Sequence, residues 1–164
     1  MSQVPSRQPL VPSILDRLID DEPGHQREDT KQRYQIIREL KESLQRDLEQ
    51  LLNTRWRCKQ WPPEHSELDV SLVNYGIPDF TGVHFTSAER QQELRDVIET
   101  VIHNYEPRLS EVSVEFSTGR EHEDRTCQFR IDALLMVDPA PEPVSFDTTL
   151  EPVTGDFSVQ GGAG

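Results

Sequence analysis

LRDVIETVIHNYEPRLSEVSVEF, residues 94–116, changes its period halfway along. Leu94, Val97, Ile98, Val101, Ile102 and Tyr105 recur at spacings of three and four, which is one face of a helix, whereas Val112, Val114 and Phe116 alternate with Ser113 and Glu115, as in a strand buried on one side. Ser87 stands ahead of the helical part as an N-cap. Pro107 disfavours the α conformation at Glu106 and cannot donate to the preceding turn, so the helix stops near Tyr105. A helix that feeds directly into sheet points to an α+β fold.

Downstream, Cys127, Phe129, Ile131, Ala133, Leu135 and Val137 alternate with Gln128, Arg130 and Asp132. The polar loop over residues 118–126 is of the kind that joins antiparallel neighbours. Leu134 and Met136 break the alternation, so this end of the strand is expected to be covered on both faces and the strand to be central. Pro139, Pro141 and Pro143 then force a stiff connector. Val144, Phe146, Thr148 and Leu150 make a third strand, Pro152-Val153-Thr154-Gly155 turns, and Phe157 and Val159 lie on a fourth. Residues 138–164 carry five acids and no Lys or Arg, so the terminal hairpin reads as flat, acidic and poorly buried. Its edge lacks the lysines that usually prevent strand addition, which leaves Phe146, Thr148, Leu150 and Phe157 as candidate contacts for a guest strand.

Upstream, Tyr34, Ile37, Leu40, Leu44, Leu48, Leu51 and Leu52 predict a helix over residues 30–53, capped at Thr30 and about 36 Å long at 1.5 Å per residue. Residues 54–86 read as irregular, with Trp56 and Trp61 plugging the end of a core. Residues 1–29 form an arm broken by Pro5, Pro9 and Pro12, in which Leu10, Ile14, Leu15 and Leu18 make a sticky turn or two, too short to stand alone in water. Either the arm folds back or a partner covers it. The expected architecture is two long amphipathic helices on a mainly antiparallel sheet of about four strands, one domain over residues 30–160, with a frayed tail over 161–164.

Composition narrows the function. The 164 residues suit one domain, and an apolar content of 34% allows only a thin core. Thirty acids against seventeen basic residues give a charge of −13, which repels phosphate backbones and anionic headgroups, so neither nucleic acid nor a membrane surface is an expected partner. No 18 apolar residues run together, no signal-peptide pattern opens the chain, and direct membrane insertion is not expected; the protein reads as cytoplasmic. Cys58 and Cys127 form no C-x-x-C pair, and His25, His65, His84, His103 and His122 form no His-x-x-x-His pair. His122-Glu123-Asp124 reads as a solvated turn. There is no nucleophile elbow and no Gly-rich phosphate loop. No metal or cofactor is expected, and among thirty acids a chance carboxylate pair says nothing about glycoside hydrolysis. Only Glu106, next to the apolar stripe that ends at Tyr105, hints at the burial a general acid needs.

The segment Asn104-Tyr105-Glu106-Pro107-Arg108-Leu109 is the local constellation that stands out, because opposite charges flank a rigid proline where a helix feeds a strand. It is a helix stop with an internal ion pair, or a knob in which a rigid proline presents a guanidinium fork. The residues alone leave both open.

The chain resembles the TssE family of type VI secretion baseplate subunits, related to phage baseplate wedge proteins once labelled lysozyme-like. Five blocks carry the resemblance: Ser13-Ile14-Leu15-Asp16-Arg17-Leu18; Asp47-Leu48-Glu49 through Leu51-Leu52-Asn53-Thr54-Arg55; Asn74-Tyr75-Gly76-Ile77-Pro78-Asp79; Glu106-Pro107-Arg108-Leu109; and Phe129-Arg130-Ile131 before Asp138-Pro139. The resemblance implies a fold like the interlocking domain of a sheath subunit. It also implies a non-catalytic role in the wedge with TssF, TssG and TssK, at the inner membrane, and seeding of the TssB/TssC sheath. By the same resemblance Glu106, Pro107 and Arg108 are partner contacts, and the terminal strands exchange with the first sheath ring. The older label implies the alternative, a peptidoglycan glycoside hydrolase with Glu106 as general acid.

Overall fold

The computed structural model describes Leu18 and residues 33–56, 62–83, 85, 87–117 and 126–162. Helix α1 spans Arg33–Asn53 and helix α2 spans Ala88–Tyr105. Strands β1 (Leu109–Phe116), β2 (Cys127–Leu135), β3 (Glu142–Glu151) and β4 (Asp156–Gly161) form one antiparallel sheet in the order β1-β2-β3-β4. The α+β reading holds, and β2 is interior as expected. Thr30, Ile14, Leu15, Trp61 and the His122 turn lie outside the described residues, while Leu18 is exposed.

Both helices bury one stripe against the same face of the sheet. Leu40, Leu44, Leu48, Leu51 and Leu52 of α1 and Leu94, Ile98, Val101 and Ile102 of α2 meet Phe129, Ile131, Ala133 and Leu135 of β2, Val144, Phe146 and Leu150 of β3, and Phe157 and Val159 of β4. Each fully buried aliphatic of this set contributes about 1.5–3 kcal/mol. The Ser87 hydroxyl accepts from the Arg90 N–H at 3.3 Å and starts α2; Glu106 N–H donates to Ile102 O at 2.8 Å, and Pro107 allows no further turn.

Three expectations for the terminal hairpin are corrected. Phe146, Thr148, Leu150 and Phe157 are buried, so their side chains belong to the core and not to a guest. Of the five acids that suggested poor burial, Asp147, Glu151 and Asp156 lie on the opposite, outward face, where period-2 alternation puts them, and Asp138 and Glu142 stand before and at the very start of β3. The β4 edge is not bare either. The Asn53 side-chain amide donates to Phe157 O and accepts from Phe157 N–H, both at 2.8 Å, as a neighbouring strand would, and Gln45 Nε2 donates to Val159 O at 2.9 Å. At the other edge, Glu99 of α2 accepts the Val114 N–H at 3.0 Å. Each helix thus supplies polar side chains to the sheet edge beneath it, which is why lysines are not needed there.

Two smaller differences concern strand ends. Met136 is exposed rather than covered, because β2 ends at Leu135. Gly161 pairs with Phe146, and Gly162 N–H donates to Ser145 O at 2.8 Å, so order reaches past residue 160. A Cβ at Gly162 would lie 2.9 Å from that same oxygen, and glycine alone fits the approach.

Candidate docking site

The segment 106–108 is built by the end of α2 and the start of β1. Glu106, 6% exposed, is carried inward by the final turn of the helix, Pro107 is thrown outward, and Arg108 returns toward α1. Its Nε and Nη2 donate to the two Glu106 carboxylate oxygens at 2.6 and 2.5 Å, a bidentate fork, and Nη2 also donates to Asp47 Oδ2 at 2.5 Å. The Arg108 backbone N–H adds a bond to Glu106 Oε1 at 3.2 Å. These carboxylates hold the guanidinium well above its usual pKa, the Glu106 hydrogen bond contributing most and burial opposing it. Two carboxylates face one guanidinium, so the cluster carries a net negative charge. Arg108 Nη1 is buried without an acceptor among the described residues, a cost of about 1–3 kcal/mol.

The geometry decides between the two residue-level readings of the triplet: the guanidinium fork is taken up by Glu106 and Asp47, as in a helix stop, and is not presented to a partner. The internal ion pair fixes a corner whose exposed tip is Pro107. It also removes the chemistry the hydrolase alternative asks for, since both Glu106 oxygens are hydrogen-bond acceptors for Arg108 and the carboxyl is shut away from solvent.

Residues far apart in the chain surround this corner. Asp47 comes from α1. The Tyr75 ring meets Tyr105 edge-on at 5.3 Å, and its phenol pKa is raised by burial first and then by the charges of Asp47 and Glu106. The Tyr105 hydroxyl donates to Ser71 O at 3.0 Å, which ties the preceding 3₁₀ segments, Pro63–Val70 and Leu72–Asn74, to the end of α2. Ile77 N–H donates to Thr54 O and Trp56 N–H to Ile77 O, at 2.9 and 3.0 Å, so the turn after Asn74 is sewn to the chain leaving α1. Gly76, at φ +112°, permits this: a Cβ there would stand 2.3 Å from Thr54 O. Three blocks that carried the family resemblance, at 47–55, 74–79 and 106–109, therefore meet at one end of the molecule. The Phe129-Arg130-Ile131 block lies apart on β2, with Arg130 paired to Asp147 at 2.9 Å on the solvent face.

Sequence reasoning singled out the segment 104–109, Tyr105 included, but not Asp47 and Tyr75, which the fold packs around it. The only available signal was that Asp47 and Tyr75 stand inside blocks already singled out. Elsewhere, a recess of 390 Å³ between α2 and β1 is lined by Glu99, Thr100, His103, Glu111 and Val112, and Glu99 there is committed to the Val114 N–H. Among the described residues no three His, Cys, Asp or Glu side chains converge as metal ligands, and no helix is long and apolar enough to cross a membrane.

A search of curated proteins returns no match. Among solved structures, a chain of "The baseplate complex from the type VI secretion system" is similar at 19% identity, covering 71% of this chain and 94% of that one, with a TM-score of 0.46. The sequence model described as "Baseplate wedge protein gp25" matches residues 38–140, from α1 through all of the corner to the end of β2. That span is more than half of the 164 residues and takes in Asp47, Tyr75 and the 106–108 triplet, so the chain belongs to the gp25 family of baseplate wedge proteins.

Proposed function

We propose that the protein is a non-catalytic structural subunit of a type VI secretion baseplate, serving in the wedge as the TssE family does. In this reading it joins TssF and TssG, with TssK, on the cytoplasmic side of the inner membrane and seeds the TssB/TssC sheath. The observation that carries the proposal is the construction of the corner. Glu106 and Asp47 are both bonded to Arg108, and the residue between Glu106 and Arg108 is left exposed on a backbone pinned at either side. Binding through such a tip costs little ordering entropy, because the ion cluster has already fixed it. Family membership supplies the class of partner.

The proposal assigns the 106–108 corner to TssF and TssG, and it leaves Ile14, Leu15 and Leu18 as a second contact made by the arm. Sheath seeding by strand pairing at β4 requires the incoming strand to take over the bonds that Asn53 and Gln45 make to Phe157 and Val159. The test is co-purification of Pro107→Gln with TssF and TssG. Pro107 is exposed, so the variant is expected to keep the wild-type melting temperature within a few degrees and to lose most of the complex. An unaffected complex would remove the corner from the interface.

A further inference from the structure

The 3₁₀ segments beside the corner expose a row of aliphatic side chains that the core does not use. Val70 is 58% exposed, Leu72 83% and Val73 44%, although the backbone that carries them is firmly held. Tyr105 OH donates to Ser71 O, Asn74 Nδ2 to Asp69 O at 3.1 Å, and the Ser71 hydroxyl to Leu68 O at 2.9 Å. Half-buried Tyr75 packs against the core. A rigid ridge of exposed aliphatics is an interaction surface in waiting rather than a frayed loop.

The charge around the ridge selects its occupant. Glu64, Glu67 and Asp69 are exposed on the same segment, and no cation among the described residues is paired with their carboxylates. Side chains three apart nearly eclipse in a 3₁₀ helix, which sets Glu67 beside Val70. The same end of the molecule carries the corner, joined to this segment through Tyr105, which adds its own net negative charge through Asp47 and Glu106. We infer that the ridge Val70, Leu72 and Val73, with its rim of Glu64, Glu67 and Asp69, is a second docking surface that receives an amphipathic helix bearing Lys or Arg from a neighbouring baseplate subunit. The apolar stripe of that helix covers the ridge and its flanking cations meet the three carboxylates. A second copy of this chain is a poor occupant, since it would bring six carboxylates face to face. The chain's own arm is poorer than a basic helix, because its apolar stretch carries Asp16 beside Arg17 and runs into Asp20, Asp21 and Glu22.

This inference rests on the wedge reading and is tested apart from it. The full chain with p-benzoylphenylalanine at Leu72 is photolysed in complex with TssF and TssG, and affinities of wild type, Pro107→Gln, Leu72→Asp and the triple variant Glu64→Gln/Glu67→Gln/Asp69→Asn are measured against that complex at low and high salt. The expected cross-link falls on a partner helix with Lys or Arg beside its apolar stripe. Leu72→Asp is expected to weaken binding at least tenfold with an unchanged melting temperature, and the triple variant to lose most of the salt dependence. Cross-linking to the arm, to a second copy or to an acidic or non-helical partner segment overturns the inference. So does wild-type affinity of Leu72→Asp while Pro107→Gln is impaired, and in that case the wedge reading stands. If the wild-type chain fails to bind at all, both fall.

Discussion

Replacing Arg108 with Ala asks whether the corner is held by its ions. Glu106 keeps only 7% of its side-chain surface, Arg108 23% and Asp47 34%. Without the guanidinium, the Glu106 carboxylate stays in a largely desolvated site and faces Asp47 with no counter-charge. Breaking a buried pair on one side costs about 3–5 kcal/mol. Water still reaches Arg108 and Asp47, which places the expected loss near the lower end, about 3 kcal/mol, or roughly 10 °C in melting temperature for a domain of this size. Adding Glu106→Gln removes the stranded charge, and the double variant should recover about half of the loss; the coupling is that recovery plus the cost of Glu106→Gln alone, so it should exceed about 1.5 kcal/mol. Urea unfolding followed by circular dichroism reads all four corners of the cycle. The guanidinium pKa is raised, so its contribution is complete below the unfolded value and lost only as pH climbs through the folded one; the Arg108 effect should therefore be flat between pH 6 and pH 9. An Arg108→Ala variant within about 0.5 kcal/mol of wild type would refute the reasoning, since a buried carboxylate cannot lose its only fork so cheaply.

Asn53→Ala removes both bonds to Phe157 and should cost about 1–2 kcal/mol in the same urea assay, with partial dimerisation by light scattering as the β4 edge opens; a monomer of unchanged stability would mean that the amide does not guard the edge. Thr148→Val should leave stability unchanged or raise it by about 1 kcal/mol, because the buried Thr148 hydroxyl has no partner among the described residues, and a loss of more than about 1 kcal/mol would show that it has one. Burial pushes the Cys127 thiol up to about 11 from 9.0, so in a Cys58→Ser background its alkylation at pH 8 should run about 100-fold slower in the native protein than in urea. The linked stability is complete below pH 9 and falls as pH rises through 11; equal alkylation rates would place the thiol in solvent.

Much of the fold was legible because its signals are local. The Ser87 cap and the stop at Pro107 place α2 almost to the residue, and the switch of period finds β1, although the strand begins at Leu109, three residues before Val112, with a register shift between Ser110 and Ser113. Alternation also marked Phe146, Leu150 and Phe157 as one face, but the hairpin's acids suggested exposure; composition averages two faces that the pleat keeps apart. In the site the Glu106–Arg108 pair was legible because it is local, whereas the long-range contacts around it and at the sheet edge were not. Asp47 meets Arg108 across 61 residues and Asn53 meets Phe157 across 104, and no periodicity connects such pairs. The likeness of separate blocks to one family named the regions, and the fold alone showed why three of them stay together.

The central claim is that this end of the molecule, and not the polar outer face of the sheet, meets the rest of the wedge. Hydrogen–deuterium exchange of the full chain, free and bound to TssF and TssG, tests it most directly. The account predicts new protection at residues 69–75 and 106–109, joined by the arm peptide that carries Ile14, Leu15 and Leu18, with the peptides over β3 and β4 unchanged in that complex. Protection centred on β3 and β4, with the corner exchanging as it does in the free protein, would contradict it.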